Sequence, residues 1–388
     1  MRRKIVNFFF SIYNRFFRII LRKLEIRKFK AKRRKKIYNQ IVLTKKQKKE
    51  IDDLYLENYG KKIPYTWHRH YTAFTNNFDK NYFPELLYIP EFEFFMNFEK
   101  YYCKSLSDKN LLPLIASNAN VKMPKTILSC TEGIYRDGNY KIIKKEKAIE
   151  LIQNIGECFV KPTKGSSSGR GCLLLNIIEK IDQKTNEPLE NIFDSLGLNF
   201  VVQERLKCHE SITKIYEKSV NTFRVMTYRW KDEIIYVPAI MRIGQGGNYV
   251  DNAHAGGMFI AIENDGTLHE TAFTEFKTEY KMHPDSKLIY KNYKIELFPK
   301  VLETAIKMHS LIPQVGIVNW DFTIDENGEP VLIEANLKAG SIWLFEMAWG
   351  KGPFGDKTAE ILRWINYMKH IKVEDIPKYS FGNIKGEK

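Results

Sequence analysis

Along the first part of the chain polar side chains return every three or four positions, at Lys4, Asn7, Ser11, Asn14, Arg15, Arg18 and Arg22, while Phe8, Phe9, Ile12, Phe16, Ile19 and Ile20 occupy the remaining positions. That spacing predicts an amphipathic helix. Helical spacing returns over residues 45–59, ahead of an aromatic-dense stretch with Tyr65, Trp67, Phe83, Tyr88 and Phe92, so residues 37–105 read as a helical N-terminal domain or lid. His68 and His70 flank Arg69 at a spacing of two, which suits one face of a strand; satisfied structural histidines are the reading preferred over a metal pair. Further on the period changes. Residues 158–162, 172–177 and 200–206 are short apolar runs with strand character, and residues 318–325 and 330–336 flank an Asn327-Gly328 turn that favours a hairpin.

Composition narrows the class. A chain of 388 residues with 44% hydrophobic content is a folded protein with room for two or three subdomains, and collagen, mucin and disulfide miniproteins are excluded. The net charge of +16 is unevenly spread: residues 1–36 hold fifteen Lys or Arg against the single acid Glu25, which leaves +2 for everything after them. Half of the sixteen arginines lie in that head, so an arginine elsewhere merits inspection. Five cysteines without a CxxC pair fit a reducing compartment and neither a zinc site nor a disulfide framework.

In the head, Asn7, Ser11, Asn14, Arg15 and Arg18 interrupt the apolar residues, so no run of about 18 apolar residues exists to span a bilayer. An amphipathic helix followed by the basic block of residues 27–36 suits the surface of an anionic membrane instead. Neither half carries the small-residue cleavage site of a signal peptide. The alternative is a helix that docks its apolar face on the body or on another subunit. Nucleic acid is not an expected partner.

Two segments carry legible chemistry. Between the strands at 158–162 and 172–177 runs Thr163-Lys164-Gly165-Ser166-Ser167-Ser168-Gly169-Arg170-Gly171. Its glycines let backbone N–H groups approach an anion, the serines add donors, and Lys161 and Lys164 supply charge for a phosphate. A strand follows rather than a helix, so neither the Walker loop nor the dinucleotide fingerprint applies. In the second segment, pairing Asp325 with Pro330 sets Asp321 opposite Glu334, with Asn336 on the same face and Trp320 and Phe322 on the other. Two carboxylates, one amide and nucleotide phosphates make a usual Mg²⁺ site. Between these segments, the strand end Gln203-Glu204-Arg205-Leu206 and then Glu210 suit a nucleobase and its ribose: Glu204 accepts from an exocyclic amine, the backbone at Leu206 meets ring nitrogens, and Glu210 binds hydroxyls.

The glycine loop between strands, the Gln-Glu strand end about 30 residues later and the D-x₁₂-E-x-N hairpin together resemble the ATP-grasp superfamily. More narrowly, Asn221-Thr222-Phe223-Arg224-Val225, Met241-Arg242-Ile243-Gly244, Val250-Asp251-Asn252 with Gly256-Gly257, and His283-Pro284-Asp285 resemble its branch associated with sugar transfer and bacterial surface polysaccharides. The resemblance implies an α+β fold of two subdomains clamping ATP, here residues 106–200 and 201–370 of a domain at 106–370, with a tail at 371–388. It implies Lys109 and Lys161 as nucleotide lysines, Glu204, Leu206 and Glu210 at adenine and ribose, and Asp321, Glu334 and Asn336 as ligands of two Mg²⁺ ions. Many members carry an arginine two residues before the first metal aspartate; here that position is Asn319, so Arg224 or Arg242 is expected to supply the charge at an acylphosphate. Asn221, Thr222, Asp251, Asn252, His254, Gly256 and Gly257 are expected on the substrate side.

The function expected is an ATP- and Mg-dependent carboxylate–amine ligase working through an acylphosphate on a sugar or cell-surface polysaccharide precursor. Its substrates would be small molecules or saccharides, and its location the cytoplasm, peripheral on the inner face of the cell membrane. The rivals are an ATP-grasp kinase with a hydroxyl acceptor and a non-catalytic ATP-binding membrane scaffold.

Overall fold

The N-terminal periodicity is realised as one long helix, α1 (Arg2–Phe29), and a shorter one, α2 (Lys32–Tyr38), in a computed structural model that describes residues 2–163, 171–338, 340 and 342–384, with side chains from Phe9 onward. The polar stripe of α1 divides: Asn14, Arg18 and Arg22 face the body, while Ser11 and Arg15 stay exposed. Asn14 and Glu25 are buried against the body, with Arg18 and Arg22 half-buried beside them, whereas Phe9, Ile12, Tyr13, Phe16, Ile19, Ile20 and Leu24 turn outward, each at least 39% exposed. Arg18 lies over the Phe94 and Phe95 rings, at 5.6 and 4.9 Å, and Arg22 donates to Tyr59 Oη at 3.1 Å and to Glu91 at 3.4 Å. Near the junction of the two helices, Phe29 and Ile37 enter the body's core.

Next come α3 (Lys45–Tyr59), started by a capping box between Thr44 and Gln47, and α4 (Thr66–Thr75). The pair His68 and His70 lies on α4 rather than on a strand. Both rings are buried among aromatics, and burial pushes them down to about 4 and about 3, so they are neutral packing groups. Both are thus structural histidines, part of the aromatic core that α4 helps to fill.

Two antiparallel sheets follow. The first contains β1 (Thr126–Thr131), β2 (Ile134–Asp137), β3 (Ile142–Ile143), β4 (Gly156–Pro162), β5 (Leu173–Ile178), β6 (Ile181–Asp182), β7 (Glu187–Pro188) and β8 (Asn199–Glu204), in the order β3-β2-β1-β8-β4-β5-β6-β7. Its core is covered by helices at Lys145–Ile152 and Leu189–Leu196. The second contains β9 (Thr222–Trp230), β10 (Glu233–Tyr236), β11 (Ile240–Ile243), β12 (Met258–Ala261), β13 (Ala272–Thr274), β14 (Glu279–Tyr280), β15 (Ile317–Ile324) and β16 (Pro330–Asn336), in the order β14-β13-β12-β11-β9-β15-β16 with β10 on β9.

The second sheet is buried on both faces. One face shares a core with α1 to α4, through residues such as Tyr228, Trp230 and Phe259, and the other packs on the helix Phe298–Ser310 through Phe223, Val225 and Trp320. Residues 37–105 therefore form a layer on this sheet. Asn97 from that layer pins the β15–β16 hairpin at its open end: its amide donates to the Ile317 and Leu337 carbonyls at 2.8 Å, and its oxygen accepts from the N–H groups of Gly316 and Ile317 at 3.0 Å. Among the described residues no helix is long and apolar enough to cross a membrane, and all five cysteines are free.

Candidate active site

A cavity of about 920 Å³ is lined by side chains from both sheets. On its second-sheet side stands the β15–β16 hairpin, where Asp321 pairs directly with Glu334 and Asn319 with Asn336. The turn is one residue out from the simple hairpin: Ile324 pairs with Pro330, and the Asp325 N–H bonds the Glu329 carbonyl at 2.9 Å. A bulge at Ile333, between the Phe322–Leu332 and Asp321–Glu334 pairs, absorbs that residue. The expected facing pair thus arises from a shifted turn and a compensating bulge. Trp320 and Phe322 point into the core as the alternation requires.

Arg224, on the neighbouring strand β9, sits opposite Asp321 and holds it at both oxygens, Nε to Oδ1 at 2.5 Å and Nη2 to Oδ2 at 2.9 Å. Arg242 on β11 approaches the same carboxylate at 3.2 Å and Asp251 at 3.5 Å. Burial alone would raise the Asp321 carboxyl, but the two arginines outweigh it and hold it below the usual carboxylate range. Asn319 cannot replace them. It is buried, and its amide donates to Gly340, whose missing Cβ leaves the room it occupies.

Lys109 and Lys161 face this carboxylate face. Lys109 Nζ is 3.6 Å from Glu334 and donates to the Pro162 carbonyl at 3.2 Å. Burial, with Lys109 as the next cause and Glu334 opposing, pushes the Lys161 ammonium down to about 8. Lys164, Gly165, Ser166, Ser167, Ser168 and Gly169 lie outside the described residues; Gly171, at φ +75, begins the return into β5. Among the described residues no three His, Cys, Asp or Glu side chains converge as a metal cage. The donor set Asp321, Glu334 and Asn336 fits a hard divalent ion that takes its other ligands from phosphate and water.

At the far end of β8, Gln203, Glu204 and Leu206 line the cavity. Gln203 is fixed by donating to the Pro124 carbonyl at 3.1 Å, and Glu204 pairs with Lys125 at 2.9 Å on the rim. Glu210 is elsewhere, outside the cavity lining and paired with Lys214 at 2.8 Å; Thr213 and Glu217, from the segment that follows, line the cavity in its place. Nothing in local spacing distinguishes Glu217 from Glu210, because the turn at Glu210–Thr213 decides which one faces inward.

The substrate-side residues divide. Thr222, Asp251, Asn252 and His254 line the cavity, whereas Asn221, Gly256 and Gly257 are absent from its lining and serve the backbone. Thr222 accepts from Arg242 at 2.6 Å and donates to Asp251 at 2.5 Å, linking loop to sheet. Burial raises the Asp251 carboxyl, and Arg242 and Thr222 pull against that rise. The Asn221 side chain is buried, bonded to the Tyr216 carbonyl and the Gly244 N–H. A Cβ on Gly257 would come within 2.3 Å of the Asp251 carbonyl oxygen. Sequence reasoning missed Trp343, Lys338 and Tyr249, which also line the cavity; the Tyr249 hydroxyl reaches across to the Cys172 carbonyl at 3.3 Å.

No curated protein matches the chain. Among solved structures it is similar to the ADP complex of N5-carboxyaminoimidazole ribonucleotide synthetase (12% identity, TM-score 0.37, covering 61% of this chain and 45% of that one). It is also similar to an L-amino acid ligase from Bacillus licheniformis (13%, 0.34, 61% and 41%) and to the VanG D-Ala:D-Ser ligase from Enterococcus faecalis (14%, 0.37, 67% and 60%). The chain thus spans roughly half the length of these proteins. The family described as sugar-transfer associated ATP-grasp matches residues 91–360, which take in both sheets and every strand facing the cavity, and the chain belongs to that family.

Proposed function

We propose that the protein is an ATP- and Mg-dependent carboxylate–amine ligase that works through an acylphosphate on a sugar or polysaccharide precursor, at the inner face of the cell membrane. The observation that carries this reading is the arrangement around Asp321. Two arginines, the partly buried Arg224 on β9 and the buried Arg242 on β11, converge on the β15–β16 hairpin, supplying the charge that Asn319 lacks.

Lys109 and Lys161 would bind phosphate oxygens, and Asp321, Glu334 and Asn336 would hold Mg²⁺, which when bound neutralises charge on the phosphates. Gln203, Glu204 and Leu206 would face the base. Arg224 and Arg242 would stabilise the phosphoryl group as a substrate carboxylate attacks it, and the substrate loop at Asp251–His254 would carry the amine. Catalysis on this scheme is positioning and charge stabilisation, with no covalent enzyme intermediate.

The location rests on α1. Its outward stripe of Phe9, Ile12, Phe16, Ile19 and Ile20 is flanked by exposed Arg15, Lys23, Arg27, Lys28 and Lys30, the pairing of apolar and cationic groups that an anionic lipid surface takes up.

The test is a screen of the full-length protein with MgATP against sugar acids and amino acids in the presence of hydroxylamine, with mass detection of hydroxamate and ADP, followed by amines. Carboxylate-dependent hydroxamate is expected. ADP formed together with a phosphorylated hydroxyl acceptor and no hydroxamate would establish a kinase instead.

A further inference from the structure

The substrate end of the cavity is not built by the family region alone. His254 lies on a short turn whose Asn252 side chain accepts its backbone N–H at 2.9 Å, and its imidazole is half exposed toward the cavity. One ring nitrogen is taken: Nδ1 is 2.7 Å from Glu275 Oε2. The other oxygen of the same carboxylate, Oε1, accepts from Arg34 Nη2 at 3.0 Å, across 241 positions of sequence. Glu275 and Arg34 are both nearly buried, at 10% and 12% side-chain exposure.

Arg34 belongs to α2, within the basic head, and its guanidinium also lies 5.4 Å from the centre of the Trp343 ring. Trp343 packs against His254 in turn, ring centres 5.7 Å apart, and lines the cavity. Further contacts hold the segment around Glu275 to the head and to the residues just after it: Arg33 lies over Phe276 at 5.0 Å, and Lys277 reaches Gln40 at 3.5 Å. His70, the other imidazole near Arg34 and Glu275, is buried and neutral, so the charges in this group are those of Arg34 and Glu275.

A carboxylate on Nδ1 fixes the ring as the Nδ1–H tautomer and leaves the Nε2 lone pair as the basic site. An arginine on the far carboxylate oxygen keeps that carboxylate ionised and aimed. Burial would raise the Glu275 carboxyl, but His254 and Arg34 reverse the shift and lower it. A ligase needs such a base, because an amine that attacks an acylphosphate must lose a proton.

We propose that His254 is the catalytic base for the incoming amine, and that Glu275 and Arg34 are its positioning residues. Resting on the ligase reading, the step runs as follows: the amine nitrogen forms the bond to the acyl carbon, the carbon–oxygen bond to phosphate breaks, phosphate leaves with that electron pair, and the amine proton passes to His254 Nε2. The imidazolium so formed is paired with Glu275. The basic head thereby contributes a side chain to the organisation of the active site.

The experiment has two arms on the full-length protein. In the first, nitrogen NMR of ¹⁵N-histidine-labelled protein, with His254→Gln for assignment, reads the tautomer. His254 is expected as Nδ1–H in the wild type. Glu275→Ala and Arg34→Ala should reduce that population, with Arg34→Lys restoring it. In the second, the carboxylate and amine from the screen are used to compare amine coupling with hydroxamate formation, since hydroxylamine is a neutral nucleophile that depends less on a base. The ratio of amine coupling to hydroxamate should fall at least about tenfold in His254→Gln and about fivefold in Arg34→Ala, chiefly in kcat, with recovery in Arg34→Lys. A wild-type His254 in the Nε2–H tautomer overturns the proposal, as does an unchanged ratio in both Glu275→Ala and His254→Gln. Failure of the ligase reading would show as no hydroxamate at all, and the tautomer arm would still decide the positioning claim.

Discussion

The two ends of the cleft are built by different means. At the proposed phosphate end, Asp321 and Glu334 meet because two strands joined by a short turn run antiparallel, and Lys161 is placed by the strand beside the glycine loop. At the substrate end, His254 is held by Glu275, Glu275 by Arg34, and Trp343 packs between them, so four segments distant in the chain must fold before the wall exists. The groups proposed to bind the nucleotide are set by strand register. The groups proposed to meet the second substrate depend on tertiary packing.

The largest effect should come from breaking the phosphate end. Asp321→Asn or Glu334→Gln should lower carboxylate-dependent ADP release by at least about 10³-fold, measured by a coupled assay, because each removes a charged oxygen from the phosphate-facing set. Thermal melting alongside the assay separates this from unfolding, the amide variants being isosteric. An activity loss under tenfold in both would remove the metal assignment. Next, Arg224→Ala should cost about 10²-fold in kcat, the scale of one lost charge-stabilising donor. Parity with wild type would mean that Arg224 is only a structural partner of Asp321.

The head offers a smaller effect that separates its two faces. Ile12→Glu with Phe16→Glu lies on the outward stripe and should weaken binding to phosphatidylserine vesicles about tenfold or more without lowering the melting temperature. Cosedimentation that stays unchanged would leave the inward contacts of α1 as its sole role. The smallest effect concerns protons. Burial depresses Lys161 to about 8, so it is largely charged at pH 7 and largely neutral at pH 9. A phosphate ligand favours the charged form, and nucleotide binding at pH 9 should therefore take up close to about one proton, and far less at pH 7. Calorimetry in buffers of different ionisation enthalpy reads this directly, and equal uptake at both pH values would contradict it.

Local pattern was legible where the chemistry follows from backbone period. The hairpin's facing carboxylates came out correctly even though the turn is shifted, because the bulge at Ile333 restores the pairing at Asp321. It was illegible where side-chain packing chooses between similar residues. Glu210 and Glu217 are equivalent in sequence, and a four-residue helical turn points one to solvent and the other to the cavity.

By itself the sequence determined the strands, the facing carboxylates of the hairpin, the scarcity of arginine outside the head and the amphipathic period of α1, all of which follow from short-range period and charge. Only the tertiary structure decided that Asn14, Arg18 and Arg22 turn inward while Phe9, Ile12, Phe16, Ile19 and Ile20 face outward, that Arg224 and Arg242 converge on Asp321, and that Arg34 reaches Glu275. Those choices depend on which buried charges find partners, and a buried charge is satisfied by geometry in three dimensions rather than by its neighbours in the chain.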